Sequence, residues 1–237
     1  SIQNLTNITL SVWVKVPNTF SIPYYTVASK GEYFPGNNGS QWYLTINTGN
    51  SGSGGSFVIY KTSDARVGTS VSYTTNIDDN KWHNIVCIND GTDLKVYIDG
   101  QLDSTNAGNG GNIYNGNRDL IIGKLNSNIR NFDGLMSNMV IWGDSQETEI
   151  PNIYNNGTPA TSYTNTPVAW WKLNNTTTGI QGSVGSSDGT NNGTTKVNTF
   201  VSTEAGESSG MTEQNLVNNN VSALNGESSG MTSANLV

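Results

Sequence analysis

The stretch that decides the fold lies in the middle of the chain and reads Leu94-Lys95-Val96-Tyr97-Ile98-Asp99-Gly100-Gln101-Leu102. Leu94, Val96 and Ile98 recur at every second position, which is the period of a β-strand with one buried face. The dipeptide Asp99-Gly100 is typical of a two-residue hairpin turn, because both residues adopt positive φ at low cost. The stretch therefore predicts two antiparallel strands joined by a tight turn.

The same period of two continues on both sides of this hairpin. Apolar and polar residues alternate in residues 9–16, and similar runs occupy residues 41–47, 56–61, 81–89, 119–124, 135–142 and 168–173. Turn segments rich in Gly, Asn, Asp and Ser separate the runs. Residues 146–155 differ, since they predict one short helix that contains Pro151 and is closed by Gly157. Many short strands without alternating helices indicate an all-β antiparallel sandwich or barrel.

The composition excludes several kinds of partner. The 237 residues include 11 Lys and Arg against 18 Asp and Glu, which gives a net charge of -7. The basic residues are scattered singly, so no basic stripe is present to neutralise the phosphates of a nucleic acid. No apolar run approaches the roughly 18 residues that a membrane helix needs. We therefore expect no nucleic-acid partner and no membrane insertion.

A single cysteine and a single histidine limit the chemistry further. Cys87 has no partner for an intramolecular disulfide, and His83 alone cannot build a zinc or copper site. Cys87 lies in an apolar run, so we interpret it as a small buried side chain. The alternative is a nucleophile paired with His83 on one strand face, but no third group is evident to orient such a pair.

Several short motifs follow one another in a characteristic order. They are 9–15, Ala28-Ser29-Lys30-Gly31, 79–86, 96–100, Ile122-Gly123-Lys124, Phe132-Asp133-Gly134-Leu135-Met136, Ile141-Trp142 and 153–157. In this order they resemble the laminin-G-like branch of the concanavalin A-like lectin/glucanase superfamily. The resemblance implies an antiparallel two-sheet jelly-roll sandwich, here with one short helix and an extended C-terminal tail.

The chain departs from the family pattern at its start. The opening strand expected before Ser1 is missing, while a Trp-Trp strand follows the helix at residues 168–173. This late strand either completes the sheet in permuted order or begins a next module, and the chain is either a fragment or takes a strand from a partner. We predict a jelly roll over residues 1–160, an additional strand with an Asn- and Gly-rich loop over 161–200, and a repeat-bearing tail or linker over 201–237.

The tail contains a sequence repeat. Residues 206–212 recur as 226–232, and both copies continue to Asn-Leu-Val after two variable residues. Two copies are too few for a self-supporting solenoid, so we interpret the tail as an extended arm that docks on a neighbour, with disorder as the alternative. The C-terminal third also resembles virion structural proteins of marine tailed phages that carry laminin-G-like modules.

The sequence does not predict an enzyme. Retaining glucanases of the superfamily use paired carboxylates on one strand face, in a spacing such as Glu-x-Asp-x-x-Glu, and this chain lacks that spacing. Its nearest acidic cluster consists of Asp144, Glu147 and Glu149. These residues fall at the start of the predicted helix, where the helix dipole stabilises carboxylates. We therefore assign no catalytic residue.

A binding role requires less. Trp13, Tyr43 and Tyr97 lie on the polar faces of their strands, where exposed rings would form platforms for sugars. The alternative is that these rings pack under loops or against other parts of the chain. We predict no cofactor, although the loops Asp78-Asp79-Asn80 and 188–192 carry oxygen ligands of the kind that calcium prefers.

These features lead to a functional hypothesis. We predict a non-enzymatic virion structural protein, such as a capsid decoration, fibre or tail appendage, that adheres to surfaces or binds glycans. Its partners would be other copies of itself, other virion proteins and host-surface glycans, and its location the virion surface. The alternative is an extracellular microbial lectin or adhesin module, followed by a relative of the glucanases.

Overall fold

The chain contains little helix. The computed structural model describes residues 2, 4–18, 22–31, 40–48, 54–62, 68–125, 130–174, 180–184 and 188–191, and the backbone of two strands at 195–197 and 215–217. A 3₁₀ turn at Glu147–Glu149 runs into α1 (Ile150–Tyr154), and a second 3₁₀ turn spans Asn155–Gly157. Within the described ranges, no helix has the length and apolar character needed to cross a membrane.

Strands are the main regular elements of the described structure. In chain order they are β1 (Ile8–Lys15), β2 (Tyr24–Lys30), β3 (Trp42–Asn47), β4 (Gly55–Tyr60), β5 (Gly68–Tyr73), β6 (Trp82–Asn89), β7 (Leu94–Ile98), β8 (Gln101–Asn106), β9 (Leu120–Ile122), β10 (Leu135–Trp142), β11 (Ala169–Trp171), β12 (Thr195–Val197) and β13 (Asn215–Val217). They form two antiparallel sheets, which confirms the predicted fold class.

The two sheets differ in size and in strand order. The order of the larger sheet is β12-β13-β10-β1-β6-β7-β8, and β11 also pairs with β10. Six of these strands lie between residues 8 and 171, and β12 and β13 extend the sheet beyond β10. The smaller sheet has the order β5-β4-β3-β2-β9. Neighbouring strands that are distant in sequence, such as β1 and β10, are typical of a jelly roll.

The core fills the space between the two sheets. Alternate residues of β1, namely Leu10, Val12 and Val14, are fully buried against the inner side of the smaller sheet, which contributes Leu44 and Phe57. Large apolar side chains thus leave water from both sheets at once, which is the main driving force for folding. The same core encloses the thiol of Cys87, which confirms that this residue is a small buried side chain.

The hairpin predicted around Asp99-Gly100 is confirmed. Ile98 pairs with Gln101 across the turn, with φ at 51° for Asp99 and 77° for Gly100. The carboxylate of Asp99 accepts a hydrogen bond from the backbone N–H of Asn84 at 2.8 Å, which ties the turn to β6. Local sequence and long-range contact therefore specify the same turn.

The late Trp-Trp strand joins the larger sheet. β11 pairs antiparallel with β10, with Ala169 opposite Ile141 and Trp171 opposite Met139. β11 thus extends the sheet beside the second half of β10. The domain boundaries at residues 160 and 200 stay a prediction, and both copies of the tail repeat at 206–212 and 226–232 lie outside the described residues.

Some elements differ from the sequence prediction. β2 and β5 were not predicted, because β2 is buried along most of its length and shows no polar alternation, while β5 offers only two large apolar residues. The run at 119–124 forms a strand only over Leu120–Ile122. The helix was predicted over residues 146–155, but it begins at Ile150, directly before Pro151, and its last residue is Tyr154, since Asn155 and Asn156 already have φ of 49° and 53°. Asparagine tolerates this left-handed region better than most residues and so ends the helix first.

Candidate functional site

The outer side of the smaller sheet carries two rows of mostly hydroxyl-bearing side chains. Residues that are opposite each other in antiparallel strands point to the same side of the sheet. One row consists of Ser29, Tyr43, Val58 and Ser70, and the adjacent row consists of Thr26, Thr45, Ser56 and Ser72. We call these eight residues the hydroxyl face. Their neighbours Leu44, Phe57 and Val71 point to the opposite side and into the core.

The hydroxyl face is uncharged. The sequences of β3, β4, β5 and β9 contain no Asp, Glu, Lys, Arg or His. The single charge in β2, Lys30, lies in register with Trp42 on the core side and is 1% exposed. Its ammonium donates to the carbonyl of Arg118, and burial, opposed by the charge of Asp119, lowers its pKa. The strands of this face therefore offer hydrogen-bonding groups and an aromatic ring rather than charges.

Solvent reaches one side of the hydroxyl face more than the other. Ser70 and Ser72 on the edge strand β5 are exposed, and Ser56 and Tyr43 are partly exposed. The hydroxyl oxygens of Ser56 and Ser72 lie 3.1 Å apart, and one hydroxyl donates a hydrogen bond to the other. The hydroxyl that accepts keeps its own proton for a donor contact with solvent. The accessible polar groups are consequently neutral donors and acceptors placed on rigid strands.

Tyr43 supplies the accessible aromatic ring of this face. Its ring lies 6.2 Å from that of Tyr60, with the two planes at 45°. Tyr60 is 2% exposed, so it packs beside Tyr43 without facing solvent. Tyr43, which was named from the sequence, is thus partly exposed and lies on the same face as the exposed Ser70 and Ser72.

The ring of Trp13 is not accessible. It lies on the outer side of the larger sheet, as the sequence predicted, but it is 1% exposed and its ring plane stacks on Tyr154 at 5.9 Å and 13°. Trp82 packs beside it. The expectation that Trp13 presents a platform to solvent is therefore wrong, because α1 places Tyr154 over its face.

The ring of Tyr97 is covered in the same way. It is 8% exposed, and its hydroxyl donates to Glu147 Oε1 at 2.6 Å. Burial and then this hydrogen bond raise the pKa of Tyr97 to about 12. The segment that follows β10 adds Ile150, Ile153 and Tyr163 to an apolar cluster over this sheet. The outer side of the larger sheet is accordingly a second core. The expectation that Tyr97 presents its ring to solvent is therefore also wrong.

The acidic residues noted in the sequence do not form a carboxylate pair. Glu147 Oε2 accepts a hydrogen bond from Lys95 at 2.7 Å, and Glu149 accepts one from Asn152 at 2.9 Å. Asp144 accepts one from the side chain of Gln146. The hydrogen bond from Lys95, followed by that from Tyr97, lowers the pKa of Glu147. Through these hydrogen bonds, Glu147 joins the segment 147–157, which covers this sheet, to β7, whereas the carboxylates of Glu149 and Asp144 bind side chains two or three residues away.

His83 and Cys87 have separate environments. Both ring nitrogens of His83 are bound to carboxylates, Nδ1 to Asp99 at 2.7 Å and Nε2 to Asp79 at 3.0 Å. Burial raises the pKa of the Cys87 thiol well above its ordinary range. A thiol in this state is a poor nucleophile.

The loops considered for calcium use their oxygens internally. Asp79 Oδ1 accepts from the backbone N–H of Lys81 at 2.9 Å as well as from His83. Asp188 Oδ1 accepts from the N–H of Gly182 at 3.2 Å, and Asn192 lies outside the described residues. Where the structure describes the chain, no three His, Cys, Asp or Glu residues converge on a common point.

Sequence reasoning missed the serines of the hydroxyl face. Ser70 and Ser72 lie on β5, which was not predicted. Ser56 lies in a predicted strand, but only its pairing with Ser72 shows that it belongs to this face. The alternation Ser70-Val71-Ser72-Tyr73 is the signal that points to them, since it has the period of a half-buried strand. Which strand lies next to it is a matter of tertiary structure.

Comparison with known proteins identifies the family. Residues 1–150 match the model of a laminin-G family described as the concanavalin A-like lectin/glucanases superfamily. The match covers more than half of the chain, which therefore belongs to this superfamily. No curated protein matches the sequence.

Two solved structures are similar to this chain at low sequence identity. A candidate carbohydrate-binding protein from Bacteroides ovatus ATCC 8483 superimposes with a TM-score of 0.53 at 14% identity, over 71% of this chain and 46% of that one. The binding domain of botulinum neurotoxin serotype G gives 0.49 at 18% identity, over 66% and 39%. This chain thus spans less than half the length of either structure, and the likeness concerns the fold alone.

Proposed function

We propose that this chain is a non-enzymatic module that binds an uncharged glycan, and that the hydroxyl face is its binding surface. The observation that carries the proposal is an accessible ring, Tyr43, beside Ser56, Ser70 and Ser72 on strands without charges. Sugars combine apolar C–H faces with many hydroxyls, so they are recognised by an aromatic ring together with neutral hydrogen-bonding groups. Membership of a superfamily that includes lectins supports the same class of ligand.

The test is a titration of neutral polysaccharides and oligosaccharides against the intact chain by calorimetry. For a glycan that binds, Tyr43→Ala should raise the Kd about tenfold, because the ring that contacts the sugar is lost. Tyr43→Phe should retain most of the affinity, since it keeps the ring and removes only the hydroxyl.

The control is placed on the other sheet. Leu102 is 54% exposed on β8 and lies opposite Tyr97 in the larger sheet, so Leu102→Ala removes an accessible apolar side chain that is not part of the hydroxyl face. This variant should bind as the unchanged protein does. An unchanged Kd in Tyr43→Ala, or equal losses in both variants, would show that the glycan does not bind at Tyr43.

The absence of catalysis is part of the proposal. The acidic residues Asp144, Glu147 and Glu149 each have structural partners, and the two similar structures are described as binding proteins. Incubation with the glycans that bind should leave their reducing ends unchanged. Steady release of reducing ends would instead place the chain among the glucanases.

We also propose that the module is displayed on a phage virion, as a capsid decoration, fibre or tail appendage. The repeat-bearing tail and its resemblance to virion proteins support this location. Mass spectrometry of purified particles should detect the chain, and its absence from particles would contradict the proposal. A hydrophobic leader in the complete reading frame would favour the rival, an extracellular microbial adhesin.

A further inference from the structure

One edge of the larger sheet is occupied by a segment of the tail. β13 (Asn215–Val217) pairs antiparallel with the start of β10, with Val217 opposite Leu135 and Leu216 opposite Met136. β11 pairs with the other half of the same strand, at Met139 to Ile141. The first half of the β10 edge is therefore a docking site for Leu216 and Val217 of the tripeptide Asn-Leu-Val, whose Asn215 pairs with Val197 of β12.

The chain carries a second copy of this tripeptide. Residues 206–217 and 226–237 are two twelve-residue segments that differ only at 213–214 and 233–234, and both end in Asn-Leu-Val. Strand addition recognises the backbone by hydrogen bonds and the side chains by alternate pockets. Because both are the same in the two copies, whatever binds residues 215–217 has equal chemistry for residues 235–237.

We propose that the β10 edge binds Asn-Leu-Val strands exchanged between copies of this chain, with residues 235–237 as the intermolecular ligand. Each chain then offers one such edge among its described residues and two strands that fit it. A chain whose own residues 215–217 fill its edge has a second strand to give to a neighbour. This inference concerns self-association and does not depend on glycan binding.

The short strand makes such exchange feasible. β13 pairs with β10 at two positions and with β12 at three, so an exchanged strand has to replace only a few backbone hydrogen bonds, each worth about 1 kcal/mol net. The copy within the same chain has the advantage of an effective concentration that is about millimolar for a flexible connection. Exchange between chains is therefore expected to increase with protein concentration, and most of all where copies are held side by side on a surface.

The experiment traps the exchanged strand with a disulfide between two separately prepared chains. One chain carries Leu135→Cys or Met136→Cys at the edge, and the other carries Val237→Cys or Leu236→Cys in the second repeat. Both register positions are used because adjacent antiparallel pairs alternate between a wide and a narrow spacing, and the narrow one suits a disulfide. The native Cys87 is buried and does not compete.

The control cysteine lies in the same tail but outside the tripeptide, at Ser229→Cys. Mixing under mild oxidation should give a cross-linked dimer on a non-reducing gel for the register-matched pair, and far less for Ser229→Cys. A synthetic peptide of residues 226–237 should suppress the dimer, whereas a scrambled peptide should not.

Two single-chain variants verify the site itself, one with Leu135→Cys and Val217→Cys and the other with Met136→Cys and Leu216→Cys, and one of the two should form an internal disulfide. Failure of both internal disulfides would remove the docking site on which the proposal rests. An internal disulfide without any register-matched dimer at high protein concentration would overturn the exchange between chains. Equal dimer from Ser229→Cys would do the same, because the cross-link would then report chance encounters of the tails.

Discussion

Gly100 is the residue at which the hairpin turn touches the segment that covers the larger sheet. Its φ is +77°, and a Cβ built on it would lie 2.9 Å from a ring carbon of Tyr154. Tyr154 in turn stacks on Trp13. Glycine is thus required twice, once by the left-handed conformation and once by the close approach of the ring.

Gly100→Ala should lower the free energy of unfolding by about 2–4 kcal/mol, because it combines left-handed strain with a steric clash. Urea denaturation measures this change. Gly108→Ala is the matched control, since Gly108 also has positive φ, +70°, but has no atom within 4 Å of the added Cβ. The control should cost only the strain, about 1–2 kcal/mol. Equal losses would show that contact with Tyr154 adds nothing.

At the scale of elements, the segment from Glu147 to Gly157 acts as a cover for the larger sheet. It consists of a 3₁₀ turn, α1 and a second 3₁₀ turn. A helix of this length is unstable by itself, so tertiary contacts must hold it. Glu147 provides one such contact through Lys95 and Tyr97, and Ile150 and Ile153 provide another through burial.

Glu147→Ala should loosen this cover while leaving the two sheets folded. The loss of two hydrogen bonds, one of them to a charged group and both partly screened by solvent, should lower stability by about 1–2 kcal/mol. Hydrogen exchange followed by mass spectrometry should show faster exchange in residues 147–157. Glu149→Ala, which removes only the exposed contact with Asn152, should exchange as the unchanged protein does. Faster exchange in both variants would argue against a specific role of Glu147.

At the scale of the whole molecule, one histidine governs the response of stability to pH near neutrality. His83 is the only histidine in the chain, and no other side chain type titrates ordinarily between pH 5 and 8. Burial by itself lowers the pKa of His83, but the hydrogen bond and charge of Asp99, followed by those of Asp79, outweigh burial and raise it. Protonated His83 therefore joins the β7–β8 turn to the loop before β6.

Stability should fall as the pH rises above neutrality. A histidine with a raised pKa in the folded state contributes fully below its unfolded pKa, near 6.5, and loses that contribution as the pH passes its folded pKa. Burial by itself raises the pKa of Asp79, but the hydrogen bonds and charges of His83 and Lys81 outweigh burial and lower it. The stability that Asp79 contributes is therefore lost only as the pH falls through its folded pKa. The contribution of this pair is therefore greatest between about pH 4 and 6.5.

Thermal unfolding from pH 5 to 9 tests this expectation. The Tm of the unchanged protein should decline between pH 6.5 and 9, and the Tm of His83→Gln should decline less over that range. The same slope in both proteins would show that His83 does not carry the effect.

Local pattern predicted much of the fold and part of the candidate site. The alternation around Leu94 to Leu102 specified the β7–β8 hairpin, and the acidic turn with Pro151 specified the position of the short helix. Tyr43 was named as a candidate because polar and apolar residues alternate along its strand. β5 was not predicted because two apolar residues are a weak signal, and the exposed serines that it carries were therefore not predicted either.

The sequence by itself determined that the chain forms alternating strands, because a period of two and the turn dipeptides are local properties. The order of its motifs carried the resemblance to the superfamily. Only the tertiary structure decided which strand faces meet water. Trp13 and Tyr97 share their polar-face pattern with Tyr43, yet the covering segment buries both through residues some fifty or more positions along the chain, such as Glu147 and Tyr154. Burial on the outer side of a sheet depends on what packs there, and that is a long-range contact which periodicity does not encode.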